Sequence, residues 1–314
     1  MNQKVRVRFA PSPTGPLHIG GVRTALYNYL FASQHGGEMI LRIEDTDSQR
    51  FVPGAEQYIN ESLAWLGIKI DEGVSEGGAY GPYKQSERAE IYQTYVKELI
   101  RQGLAYPCFC TAEELEAVRS EQEADKLRTG YYGKFAKHRD ITYEEAKALI
   151  DEGKPFVVRL KSPGSEENKV TFEDTIKGKI EMPENDEDFV LLKSDGIPTY
   201  HFAHAVDDHL MRTTHVLRGD EWISSVPKHI QLFKLLGFKP PKYGHISPIM
   251  KLDNGAKRKI SKRKDPEAAV HFFAEQGYDS ECVINYLMTV AASDFEDWRR
   301  ANPDASYKQF KFNL

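Results

Sequence analysis

Residues 4–43 constrain the fold more than any other stretch. KVRVRFA (4–10) alternates apolar and charged positions and reads as a strand. A loop of prolines and glycines follows, FAPSPTGPLHIGG (9–21), and Val22–His35 then shows helical spacing and stops at Gly36-Gly37. Met39–Ile43 is a second apolar strand. Two parallel neighbours need a crossover of about a dozen residues or more, and a helix of this length supplies one. The pattern therefore predicts a parallel sheet. Further helices are expected from Pro53 to Leu66, before Gly67, and from Ser86 to Gln102, before Gly103.

The character changes near residue 106. TAEE (111–114) and TYEE (142–145) have the form of capping boxes and start two polar helices. Short strands are expected at 156–161, 169–174 and 189–193, and the parallel sheet is expected to resume with IPTYHFAHAVDD (197–208) and THVLRGDEW (214–222). From about 245 a basic loop leads into short helices, and the final YKQFKFNL offers no cap or closing element. The fold class expected is α/β, a Rossmann-type doubly wound parallel sheet with an α+β insertion and a helical C-terminal part. Its divisions are 1–105, 106–190, 191–244 and 245–314, with a chain cut before a further domain.

At 314 residues the chain can bury a sizeable core, and its 40% apolar and 28% charged content is that of a globular protein. No apolar run approaches the ~20 residues that span a bilayer, so no membrane partner is expected. Three cysteines, Cys108, Cys110 and Cys282, form no disulfide framework and fit a reducing cytoplasm. A net charge of −5 excludes general affinity for nucleic acid and leaves only local basic patches for that purpose.

Strand, φ-permissive loop and helix together can bring backbone N–H groups to a phosphate. Gly15, Gly20 and Gly21 leave room for it, and His18 is placed to donate to a phosphate oxygen. The loop lacks the Gly-Lys-Ser/Thr of a Walker motif and the spacing of G-x-G-x-x-G. A second anchor is KRKISKRK (257–264), six cations in eight positions, suited to clamping a triphosphate or contacting nucleic acid.

HIGG (18–21) and KISKR (259–263) are similar to the HIGH and KMSKS signatures of class I aminoacyl-tRNA synthetases. RFAPSPTGPLHIGG, LRIEDTD, GPYKQSERAEIY, LLKSDGIPTYHFAHAVDDHLM, VLRGDEW and KISKR, in this order and spacing, resemble the glutamyl-tRNA synthetase family over essentially the whole chain. The resemblance implies ATP-dependent activation of L-glutamate to glutamyl-AMP and transfer to tRNA(Glu), with Mg²⁺ carried by the nucleotide. It implies catalytic roles for His18, Lys259 and Lys262, and ATP contacts from Ser12, Gly15, His18, Gly20, Gly21, Lys259, Ser261 and Lys262. It implies glutamate contacts from Arg8, Ala10, Ser12, Glu44, Tyr200, His204, Arg218, Glu221 and Trp222. Charge assigns Glu44 to the substrate ammonium and Arg8, Tyr200 and Arg218 to its two carboxylates, without deciding which arginine takes which. His204 stands where asparagine is common in the family.

Some members of that family bind zinc in the insertion. Here Cys108 and Cys110 are followed only by Tyr131, Tyr132 and His138 as further donors, so small buried hydrophobes are preferred over zinc and no metal ligand is assigned. Arg128, Lys134, Lys137 and Arg139 form a basic cluster suited to an acceptor stem. Asp45 and Asp47 can serve as turn caps. A monomer is expected. The rival reading is a short paralogue that glutamylates queuosine on tRNA, disfavoured by the absent cysteines and by Trp222 in GDEW; a catalytically dead tRNA-binding module is the other.

Overall fold

The structure is a computed structural model and describes residues 4–47, 50–261 and 264–314. It opens with β1 (Arg6–Phe9), α1 (Ile19–Gln34) and β2 (Glu38–Leu41), with β1 and β2 paired in parallel from Arg6 opposite Glu38 to Phe9 opposite Leu41. Helix α1 begins three residues earlier than the spacing predicts. His18 takes the N-cap and its Nδ1 accepts from Gly20 N–H at 2.9 Å, which draws the Gly-Gly pair into the first turn. Helix α2 (Ala55–Trp65) starts after Gly54, whose φ of +81° holds Pro53 outside the helix. A 3₁₀ turn at Gln85–Arg88 leads into α3 (Ala89–Arg101).

The stretch expected as an insertion holds β3 (Ala105–Cys108), α4 (Ala112–Ala124), α5 (Tyr143–Asp151), β4 (Val157–Leu160), β5 (Lys169–Asp174), β6 (Gly178–Pro183) and β7 (Val190–Leu192). Both expected capping boxes form, at Thr111 with Glu114 and at Thr142 with Glu145. Strands β3, β4 and β7 make an antiparallel sheet, while β5 and β6 form a hairpin with Lys169 opposite Pro183.

The next segment corrects the sequence reading. Residues 197–208 do not resume the sheet: Tyr200–Leu210 is helix α6. Every residue from Phe202 to Asp208 is buried, including the polar His204, Asp207 and Asp208, so the polar positions do not mark a solvent face. The sheet resumes at β8 (His215–Gly219), continues through α7 (Val226–Leu235) and β9 (Lys242–Ile246), and β8 and β9 pair in parallel. Thr214 N–H donates to Arg6 O at 2.8 Å, which sets β8 beside β1. Asp174 at the end of β5 pairs with Tyr243 of β9. The β1-β2 pair thus lies beside the four-stranded sheet β8-β9-β5-β6, giving the spatial order β2-β1-β8-β9-β5-β6, which the β5-β6 hairpin extends.

Residues expected as a basic loop form a hairpin, β10 (Met250–Asp253) and β11 (Ala256–Lys259). Its turn is Asn254-Gly255, both with positive φ, the Asn-Gly signal for a two-residue turn. Helices α8 (Val270–Glu275), α9 (Ser280–Ala291) and α10 (Phe295–Ala301) follow where the sequence places them. The chain end differs from expectation: Ser306 caps a 3₁₀ turn at Tyr307–Gln309, and Phe310 and Phe312 are buried with Val283, Leu287 and Phe295 against Leu26 and Leu30 of α1. A second apolar cluster joins Tyr92 and Val96 of α3 to Leu160, Leu191, Phe202 and Phe233. Among the described residues no helix is long and apolar enough to cross a membrane.

Candidate active site

Open parallel sheets bind ligands where the strand order reverses, because the loops there diverge and leave a crevice. In this sheet the reversal lies between β1 and β8, and a cavity of about 860 Å³ opens there. Arg8, Ala10, Ser12, Gly21, Glu44, Tyr200, Arg218 and Trp222 line it, all named from the sequence. The loop after β1 and the strand extension after β2 are stitched together by Glu44 N–H donating to Pro11 O at 3.0 Å. The two stretches that stand out in the sequence are thus adjacent walls of one cavity.

Beneath the cavity lies a buried ionic group of three arginines and three acids. Arg42 meets Asp208 at 2.7 Å and Glu44 at 3.2 Å, Arg88 meets Asp207 at 2.7 Å, and Arg8 meets Asp208 at 3.3 Å. Their charges cancel, as buried charges must. Burial pushes the Glu44 carboxyl up, while Arg42 and Arg8 oppose that shift. Burial opposes ionisation of Asp208 as well, but Arg42 and Arg8 prevail and hold it well below the carboxylate range.

Arg218 is held differently. Its Nε donates to His245 Nε2 at 3.1 Å, Nη1 to Tyr200 OH at 3.0 Å, and Nη2 to Trp222 O and His229 Nδ1, each at 3.3 Å. Every acceptor is neutral, and among the described residues Arg218 makes no ion pair. It is 5% exposed, so its charge is poorly screened by water and faces the cavity without a counter-ion.

His18 and Gly20 lie outside this lining, at the first turn of α1. Because His18 Nδ1 accepts from Gly20 N–H, the neutral ring carries its proton on Nε2. A Cβ on Gly20 would approach that Nδ1 at 3.1 Å, so a larger residue there would require the ring to shift by a few tenths of an ångström. A Cβ on Gly21 would meet only ordinary contacts, so the protein's own packing does not demand glycine at this cavity position. Gly15 has a φ of +119°, which requires glycine.

The basic segment converges on the same helix start. His18 bridges Ala269, Val270 N–H donates to Leu17 O at 3.1 Å, and Ile260 shares a cluster with Leu17 and Ile19. Within the run, Arg258 is occupied in structure: it pairs with Asp253 and Asp265, and Asp265 also accepts from Ser261 N–H at 2.9 Å. Lys259 is exposed. Lys262, named from the sequence as catalytic, lies outside the described residues.

Other expectations change. His204 does not reach the cavity; it is fully buried, 3.0 Å from Tyr243 OH and 2.9 Å from Asp208, because α6 turns it inward. Burial pushes its pKa down to about 3 and that of His201 to about 4. Glu221 is exposed and outside the lining. The basic cluster of the insertion is internally matched: Arg128 with Asp186, Lys134 with Glu121, Lys137 with Glu114 and Arg139 with Asp188. Asp45 caps Ser86 through its N–H and Oγ, as expected of a turn carboxylate, whereas Asp47 lines the cavity. Sequence reasoning missed Lys193, whose Nζ donates to Thr46 O at 2.8 Å beside the cavity; its place in the LLKSDG turn was the available signal.

Cys108, Cys110 and His138 bring their ligand atoms within 4.8 Å of one another, and Tyr131 OH lies 3.3 and 3.5 Å from the two sulfurs. Counting donors along the chain hides this, because the loop 131–138 folds back over β3.

A reversal-point cavity, a helix start capped by histidine and a distant basic hairpin meeting it define an α/β fold of the doubly wound class. The chain belongs to the class I tRNA synthetases of the E and Q type, whose catalytic-domain model matches residues 4–311. Among its relatives, the chain is 55% identical over 312 residues to the glutamate–tRNA ligase of Clostridium perfringens strain 13 and 51% identical over 310 residues to that of Acetivibrio thermocellus. These alignments cover 98% of this chain but 57% of each relative, so the chain spans little more than half their length. A solved glutamate tRNA ligase from Elizabethkingia meningosepticum, in complex with its amino acid, matches with a TM-score of 0.85 at 43% identity, covering 93% of this chain and 61% of that one.

Proposed function

We propose that this chain activates L-glutamate with ATP to form glutamyl-AMP and transfers the acyl group to the 3′ end of tRNA(Glu). The observation that carries this reading is the charge of the cavity: an acid, Glu44, already shared with Arg42, and one buried guanidinium, Arg218, with no counter-ion. Glutamate carries one net negative charge and neutralises that cavity, whereas glutamine, with no net charge, leaves one positive charge uncompensated.

In the reaction, a substrate α-carboxylate oxygen attacks the α-phosphorus and pyrophosphate leaves, so the protein's task is to position groups and offset charge. Glu44 accepts from the substrate ammonium, Arg218 binds a carboxylate, and His18 Nε2–H donates to phosphate. Lys259, Ser261 and Lys262 attend the leaving pyrophosphate, and Ser12, Gly15, Gly20 and Gly21 admit the nucleotide. Mg²⁺ carried with ATP would offset phosphate charge. The division at 105/106, 190/191 and 244/245 orders the chain into catalytic halves, acceptor-binding insertion and stem-contact part. Lys257, Lys259 and Lys264 are exposed and can meet tRNA phosphate, whereas the insertion's cluster is matched by acids.

Zinc, disfavoured by the donor count, fits the folded insertion: Cys108, Cys110 and His138 would hold it with Tyr131 as fourth donor, tying β3 to the loop 131–138. Its contribution there is structural.

Glutamate-dependent exchange of pyrophosphate into ATP, measured with and without tRNA(Glu), tests the reading. Exchange with glutamate, none with glutamine and loss in Arg218→Gln supports it; equal use of the two amino acids refutes it.

A further inference from the structure

We infer that Asp174, His245 and His229 are positioning residues that hold Arg218 by neutral acceptors, so that it is fixed in direction yet keeps its charge for the substrate carboxylate. The inference rests on the glutamate reading of the cavity and adds residues that do not touch the substrate.

The argument is one of tautomers. Asp174 Oδ1 accepts three backbone N–H groups, from Ile176 at 3.0 Å, Lys177 at 2.9 Å and His245 at 3.2 Å. This anchors the carboxylate and aims Oδ2 at His245 Nδ1, 2.5 Å away. His245 must therefore carry its proton on Nδ1, and its Nε2 lone pair accepts from Arg218 Nε–H. On the other side, His229 Nδ1 accepts from Arg218 Nη2, which places its proton on Nε2, 3.0 Å from His201 Nδ1. All three rings are consistent as neutral imidazoles with one proton each. The two that touch Arg218 are fully buried, where burial and the arginine itself both oppose a second proton.

A carboxylate at either place would hold the guanidinium equally well, but would cancel the charge that the substrate must find. An imidazole is an acceptor of similar reach without that charge. Four of the five guanidinium N–H groups are committed in this way, leaving one on Nη1. Asp174 ends β5, in the hairpin contributed by the insertion, so the orientation of a cavity arginine is set from outside the two catalytic halves.

The test is Asp174→Asn. The three backbone N–H groups hold its Oδ1 in place and leave its NH₂ facing His245 Nδ1. The ring must then move its proton to Nε2, aiming a donor at Arg218 Nε–H. Long-range ¹⁵N–¹H spectra should show His245 as the Nδ1–H tautomer in the wild type and the Nε2–H tautomer in the variant. Calorimetric titration should show glutamate binding weakened by about tenfold or more, with ATP binding changed by less than about twofold. Should Asp174→Asn not fold, His245→Gln, which retains an acceptor oxygen, should bind glutamate within about threefold of wild type, and His245→Leu should lose about tenfold or more. An Nε2–H tautomer in the wild type, or unchanged glutamate affinity in His245→Leu or in the flipped variant, overturns the inference while the glutamate reading stands. A wild-type chain that binds ATP but no glutamate overturns that reading and the inference with it.

Discussion

Acidification should expose the cost of burying neutral histidines, and His204 gives the cleanest measure. Its ring is fully buried on α6 among Tyr243, Asp208, Phe233 and His229, with Arg8 and Arg218 nearby, and burial pushes its pKa from 6.5 to about 3. At pH 5 the folded ring therefore stays neutral while the unfolded one takes up a proton. The penalty is absent above about pH 6.5 and grows as pH falls, by about 1.36 kcal/mol per unit, reaching about 2 kcal/mol at pH 5. His201, His229 and His245 are shifted in the same direction and add to the loss in the wild type. The informative quantity is thus a difference between proteins. Urea unfolding of wild type and His204→Asn, followed by tryptophan fluorescence at pH 7 and pH 5, should show the wild type losing about 2 kcal/mol more than the variant, because asparagine does not titrate in this window. Equal losses, within about 0.5 kcal/mol, would refute the argument that this ring is kept neutral by burial.

Three further outcomes are expected. His18→Ala should lower the rate of glutamate activation by about 10²–10³-fold while changing ATP affinity by less than about threefold, measured by pre-steady-state adenylate formation; a larger loss in ATP binding than in rate would exclude a transition-state role for Nε2–H. Phe310→Ala should destabilise the chain by about 3–5 kcal/mol in a denaturant titration, since the ring packs edge-on against Phe295 at 5.2 Å; a cost under about 1 kcal/mol would mean that the last residues lie outside the core. Chain purified without chelator should hold about one zinc by elemental analysis, and Cys110→Ser should lose it; a metal-free wild type with unchanged melting would leave Cys108, Cys110 and His138 as a packing cluster.

The sequence by itself determined whatever is encoded by neighbours along the chain. The β1–α1–β2 unit follows from spacing and a Gly-Gly stop, both capping boxes from four-residue patterns, and the walls of the cavity from motifs at strand ends. Asn254-Gly255 between β10 and β11 is a further local signal of this kind. Tertiary structure decided the rest. Helix α6 departs from the expected strand because its polar His204, Asp207 and Asp208 are buried along with its apolar residues. His204 turned inward with that helix, and the insertion's basic cluster proved to be matched by acids that lie up to 58 residues away. Cys108, Cys110 and His138, spread over thirty positions, meet only because a loop folds back. Whether a charge is spent or available follows the same rule: Arg8 and Arg218 look alike in sequence, yet one faces Asp208 and the other only neutral acceptors. Coulomb energy depends on distance in space, and separation along the chain does not fix that distance.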